Sequence, residues 1–182
     1  LYLAAVVDAR EKLRAAKPED KMAVFAVLMR LREICCDPRL VADNWDGGSA
    51  KLDACMELVT AAVEGGHRIL LFSQFTSMLE LLAKRLDEAG VSHFTLQGST
   101  PKPVRAELVR RFNSGEADVF LFSLRAGGTG LNLTAADIVI HYDPWWNVAA
   151  QNQATDRAYR IGQRNPVQVY KLIAQDTIEE KI

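Results

Sequence analysis

Three short apolar runs constrain this chain most: RILLFS (68–73), DVFLFS (118–123) and DIVIHYD (137–143). A continuous apolar run of this length fits a strand buried on both faces rather than one facing water. HFTL (93–96) and VQVYKLI (167–173) read as two more strands. Helical signals fill the intervals. Lys51 to Val63 is amphipathic and closes at Gly65-Gly66; Thr76 caps a helix through Glu88 with Gly90 as its stop; Pro101 opens a helix running to about Phe112. Asn147 caps a last helix. Repeated strand–helix units predict an α/β fold with a doubly wound parallel sheet covered by helices.

The first 45 residues read as helices instead. Met22, Phe25, Leu28, Met29, Leu31 and Arg32 form a stripe at helical period, and Asp37-Pro38 ends it. The polar, glycine-rich DNWDGGS (43–49) marks a boundary, giving a helical segment over 1–48 and the α/β lobe over 49–182. A chain of 182 residues is enough to bury about 70% of its unfolded surface. No apolar run approaches the roughly 20 residues of a membrane span. The N-terminus lacks the marks of a signal peptide and an initiator Met, and is read as the start of a fragment. A net charge of −1 excludes a simple basic tether but allows local phosphate sites. Cys35, Cys36 and Cys55 show no CxxC spacing, so they are read as small buried hydrophobes, with no metal site expected. His67, His93 and His141 are scattered at element ends.

In such sheets function collects at the carboxyl ends of strands, here residues 73–75, 97–100, 124–133 and 143–147. In SLRAGGTGLNLTAAD (123–137), Gly127, Gly128 and Gly130 permit an anion-binding turn to which Ser123 and Thr129 add hydroxyls. A plain glycine-rich turn is the alternative. A dinucleotide fingerprint fails because its third glycine position holds Leu133, and no Gly-Lys pair exists to make a P-loop. No acidic pair ends a strand to hold magnesium. The scaffold is of nucleotide type without its own triphosphate cradle. In QATDRAYRIGQR (153–164), helical spacing puts Gln153, Arg157, Arg160 and Arg164 on one face, Ala154, Ala158 and Ile161 on the other, and Gly162 at the stop. Two fixed arginines can reach across a cleft to a γ-phosphate held elsewhere. The alternative is a solvated face with an Asp156–Arg160 pair. In DPWWN (143–147) the two tryptophans stack on a base, grip a partner, or pack against the arginine helix.

Together these stretches resemble the second RecA-like lobe of Swi/Snf-type ATPases, within the superfamily 2 helicases, over nearly the whole chain. ILLFSQF (69–75) is similar to motif IV, and LQGST (96–100) to the following loop, with Gln97 where Asp is usual. SLRAGGTGLNLTAAD is similar to motif V. DPWWN with QATDRAYRIGQ is similar to motif VI, Val148 replacing the usual Pro, and LREICCDPRL (31–40) to the helical segment before the lobe. The resemblance implies that Arg157 and Arg160 complete an ATP site, with Gln153, Gly128, Gly130 and Asn132 at the same cleft. It implies that Ser73, Gln74, Gly98, Ser99, Thr100, Ser123 and Arg125 follow the phosphates of DNA. ATP and Mg2+ would be held mainly by a first RecA-like lobe absent from this chain, so the fragment alone would be inactive. The partners implied are that lobe, double-stranded DNA and a DNA-bound protein target, with no membrane. The location implied is intracellular: bacterial cytoplasm or nucleoid, or the nucleus of a eukaryote. The alternatives are a non-catalytic RecA-like module that binds nucleic acid or a partner, and an RNA helicase lobe.

Overall fold

The computed structural model describes residues 1–15, 20–124, 131–159 and 162–182. Two helices lead, α1 (Tyr2–Ala15) and α2 (Lys21–Cys36), followed by a 3-10 turn at Pro38–Leu40. Then come α3 (Ala50–Glu64), β1 (Ile69–Ser73), α4 (Thr76–Glu88), β2 (His93–Leu96), α5 (Lys102–Asn113) and β3 (Val119–Ser123). β4 (Ile138–His141), α6 (Val148–Thr155), β5 (Gln168–Lys171) and a 3-10 turn at Ile178–Lys181 complete the order. The five strands lie in the order β2-β3-β1-β4-β5, every pairing parallel.

Strand geometry sends alternate side chains to opposite faces. Ile69, Leu71, Val119, Leu121, Ile138 and Ile140 share one buried cluster with Leu52 and Val59 of α3 and Leu79 and Leu82 of α4. Leu70, Phe72, Phe120, Phe122 and Val139 fill the other, against Phe112 of α5 and Ala154 of α6. Each valine, leucine, isoleucine or phenylalanine among them contributes about 1.5–3 kcal/mol by leaving water. Every residue of β1, β3 and β4 is buried, as their unbroken apolar runs require, whereas the edge strand β5 is exposed along its length. The last turn of α2 joins the first cluster: Cys36 is fully buried there, and its carbonyl accepts from the Tyr142 hydroxyl at 2.9 Å.

Side-chain caps start α2, α3 and α6, from Asp20, Ser49 and Asn147. Asn147 Oδ1 accepts from the Ala150 N–H at 3.0 Å, as expected. Thr76 is not a cap: Phe75 holds that position without a side-chain bond, and Ser73 Oγ accepts the Phe75 N–H at 3.2 Å. Gly90, at φ +67, turns the chain after α4 in the left-handed region that glycine enters freely.

The expected long arginine helix is corrected. α6 stops at Thr155, and Arg157 lies in the turns that follow. Bonds from Arg157 N to Ala154 O and from Ala158 N to Thr155 O tighten the backbone. The Arg157 carbonyl, which a continuing helix would need, instead accepts from the Leu133 N–H at 3.0 Å. Gly162, at φ +109, lies beyond the helix rather than at its stop. Among the described residues no helix is long and apolar enough to cross a membrane.

Candidate functional site

The strand order makes the chain reverse direction around β1, so the carboxyl ends of β1, β3 and β4 lie side by side, the usual ligand position in such sheets. A cleft of about 160 Å³ opens there, lined by Phe72, Phe122, Ser123, Leu124, Ala150, Gln153, Ala154 and Arg157. Three residues singled out from the sequence, Ser123, Gln153 and Arg157, thus meet. Gln153 is exposed; Arg157 is only 4% exposed, its guanidinium 4.8 Å from the centre of the Phe122 ring. A cation over an aromatic face is attracted by the ring's electron cloud, which holds the head at the cleft wall. Arg160, Arg125, Gly128 and Gly130 lie outside the described residues. Asn132 is exposed, its carbonyl accepting from Asn113 Nδ2 at 2.8 Å, and it is not part of the described lining.

The loop after β2 is held from outside by Arg105, which the sequence reading missed. Its guanidinium donates to the Thr100 carbonyl at 2.6 Å and the Gly98 carbonyl at 2.7 Å, while Thr100 Oγ1 accepts from the Gln97 N–H at 3.0 Å. Gly98 and Ser99 stay exposed. An arginine one turn into a helix after a glycine loop carries no distinct sequence signal.

Ser73 and Gln74 are buried, and their polar groups turn inward. Ser73 Oγ donates to Asp143 Oδ1 at 2.6 Å, and the Gln74 N–H to Asp143 Oδ2 at 3.3 Å. Arg32 of α2 donates from Nη1 to Gln74 Oε1 at 3.0 Å and from Nη2 to the Pro144 carbonyl. Burial pushes the Asp143 carboxyl up to about 6, with Ser73, Lys51, Gln74 and Arg32 pulling the other way. Desolvation likewise lowers Arg32 from the ordinary arginine value. At the end of β4, burial takes His141 down to about 4, with Lys171 adding to the shift; its Nε2 meets Thr155 Oγ1 at 2.9 Å and its ring stacks on Phe72. Arg32 and Asp143 were not among the candidates; an arginine on an apolar helical stripe was the available signal.

The comparisons with known proteins agree with this layout. The family model described as helicase conserved C-terminal domain matches residues 50–162. An uncharacterized ATP-dependent helicase of Mycoplasma pneumoniae is 39% identical over 94% of this chain. The mouse SWI/SNF-related matrix-associated actin-dependent regulator of chromatin subfamily A member 1 is 39% identical over 93% of it. The chain spans 17% and 18% of the length of these two relatives. The solved Sulfolobus solfataricus SWI2/SNF2 ATPase core in complex with dsDNA superposes with a TM-score of 0.85 at 32% identity, over 99% of this chain and 39% of that one. The C-terminal domain of the Sulfolobus solfataricus SWI2/SNF2 ATPase gives 0.81 at 29% identity, over 99% of this chain and 75% of that one. A RecA-like parallel sheet, a matched family model and these likenesses together make the chain a member of the helicase conserved C-terminal domain family, the second lobe of a Swi/Snf-type ATPase.

Proposed function

We propose that this chain is the arginine-bearing half of an ATP-driven motor that moves on double-stranded DNA. The observation that carries this reading is the cleft in which Arg157, Gln153 and Ser123 meet. Its described lining offers a cation, an amide and a hydroxyl and no carboxylate, a set that fits phosphate oxygens rather than a metal ion. Mg2+ therefore belongs to the first RecA-like lobe, the partner across the cleft. ATP, when bound there, supplies the phosphoanhydride bond whose hydrolysis drives the cycle. Arg157 and Arg160 neutralise charge on the transferring phosphoryl group, an effect worth about 10³–10⁵ in rate. Gln153, Gly128, Gly130 and Asn132 orient the nucleotide beside them.

The loops after β1, β2 and β3 form the DNA side. Gly98, Ser99 and Thr100 offer backbone N–H groups and hydroxyls to phosphates, with Arg125 adding charge, Ser73 and Gln74 shaping the bed beneath, and Ser123 standing at the cleft edge between the DNA side and the nucleotide side. Contacts of this kind read the backbone rather than the bases. Support comes from the likeness to a SWI2/SNF2 core solved with dsDNA and to relatives described as ATP-dependent helicases. The substrate of the complete motor is then duplex DNA carrying a bound protein, and this lobe alone hydrolyses little ATP.

The test is ATP hydrolysis by the full-length protein with and without duplex DNA, for wild type, Arg157→Ala and Arg160→Ala. Stimulation of the wild type by duplex, lost by about 10³-fold or more in either variant, is the expected result. Variants that hydrolyse normally but bind DNA weakly overturn the cleft assignment. Stimulation by RNA in place of DNA makes the chain an RNA helicase lobe.

A further inference from the structure

Arg32 lies on α2, outside the matched residues 50–162 and outside every residue assigned above to ATP or DNA. It is 2% exposed, and its head faces the Trp146 ring at 4.6 Å while bonding to Gln74 Oε1 and the Pro144 carbonyl. Asp143, 4.0 Å away, takes the Ser73 hydroxyl and the Gln74 N–H. One side chain of α2 thus ties the loop after β1 to the loop after β4. The second loop runs into α6: the Trp145 N–H donates to Gln151 Oε1 at 3.3 Å, and Asn147 caps the helix that carries Gln153 toward Arg157. A buried ion pair generally stabilises no better than apolar packing of the same volume. Folding stability alone is therefore a weak reason for this tie.

Given the functional reading above, we infer that Arg32 is a positioning residue that couples the DNA side of the lobe to its arginine-bearing side. By holding Gln74 and Pro144 with one planar fork, it makes the two loops move as one body. A load on the DNA loops is then felt at the entry to α6. Lysine cannot replace the fork, because a single ammonium lacks the paired, fixed donors that span two carbonyl oxygens.

The test uses the full-length protein and three readouts: thermal unfolding, the dissociation constant of a short blunt DNA duplex, and the ratio of duplex-stimulated to unstimulated ATP hydrolysis. Arg32→Met alone leaves Asp143 as an unpaired buried charge, so it is compared with Arg32→Met combined with Asp143→Asn, which removes both charges. The double variant is expected to unfold near the wild-type temperature and bind duplex within about threefold of wild type, while its stimulation ratio falls about tenfold. Arg32→Lys keeps the ion pair and is expected to lie between. A double variant that regains both stability and stimulation overturns the inference, because Arg32 then serves folding only. So does a dissociation constant that rises in proportion to the lost stimulation, or an Arg32→Lys ratio equal to wild type. A wild type that duplex does not stimulate overturns the functional reading itself, a distinct result.

Discussion

Arg32 and Asp143 face each other in the interior at 4.0 Å, with side-chain exposures of 2% and 1%, yet the carboxylate makes its short bond to Ser73 rather than to the arginine. Burial outweighs the favourable partners, so the folded-state value of about 6 stands above the ordinary 3.8. A group raised in the folded state contributes stability that is fully present below its unfolded value and lost as pH climbs through the folded one. His141 has the opposite sign. Its value falls from 6.5 to about 4, so its contribution is present above 6.5 and lost as pH falls toward about 4.

Between about 4 and about 6 the two slopes therefore oppose each other. The expected outcome is that Asp143→Asn uncovers the His141 slope, making stability rise more steeply with pH by up to about 1.4 kcal/mol per unit. Urea unfolding of wild type and variant at several pH values across this window measures the difference. Parallel pH curves for the two proteins would remove Asp143 as a titrating group there.

Arg105 is expected to act on DNA binding without touching DNA. Its guanidinium is spent on the Thr100 and Gly98 carbonyls, so it shapes the loop that presents Gly98 and Ser99. Arg105→Ala should weaken duplex binding by the full-length protein about tenfold, the worth of a charge-assisted hydrogen bond. Because no phosphate contact is lost, the slope of log affinity against log salt should stay as in wild type. A slope shallower by about one would mean that Arg105 meets a phosphate directly.

The strands were legible because a central parallel strand is buried on both faces, and β1, β3 and β4 are apolar up to their last residues, Ser73, Ser123 and His141. The cleft was legible in part: Gln153 and Arg157 both border it, but Arg157 does so from the turns after α6 and not from the shared helix face that their spacing implied. The end of α6 was not. It depends on the Leu133 N–H reaching the Arg157 carbonyl, a bond between distant segments that local helix preference cannot reveal. Arg32 was hidden for a related reason. On a helix stripe an arginine reads as a side chain whose head reaches water, and only the fold brings Gln74, Asp143 and Pro144 around it. The inward turn of Ser73 likewise follows from Asp143 standing opposite it, which a loop sequence does not state.

The contact between Arg157 and Phe122 is open to a double-mutant cycle. With the head 4.8 Å from the ring centre and 4% exposed, the coupling should be about 0.5–2 kcal/mol. Phe122→Leu, Arg157→Met and the double variant, unfolded by denaturant beside wild type, isolate this term from the separate cost of shrinking the core. Strictly additive losses would mean that the ring is a neighbour of the arginine and not its seat.

Burial also separates two ion pairs of similar length. Lys51 Nζ lies 2.6 Å from Glu179, with side chains 8% and 0% exposed, and Glu179 Oε2 also accepts from the Ala174 N–H at 2.8 Å. Lys12 and Asp8 lie 2.7 Å apart on α1 with more than half of each side chain in water. Solvent screens the second pair, and such helix pairs contribute about 0.3–0.5 kcal/mol. Removing one partner of the first leaves a buried charge and an unpaired backbone donor, at a cost of about 3–5 kcal/mol. Glu179→Ala should therefore lower the unfolding free energy several times more than Asp8→Ala, as read from denaturant midpoints. Equal losses would show that water reaches the Lys51–Glu179 pair and that the C-terminal turn is not anchored through it.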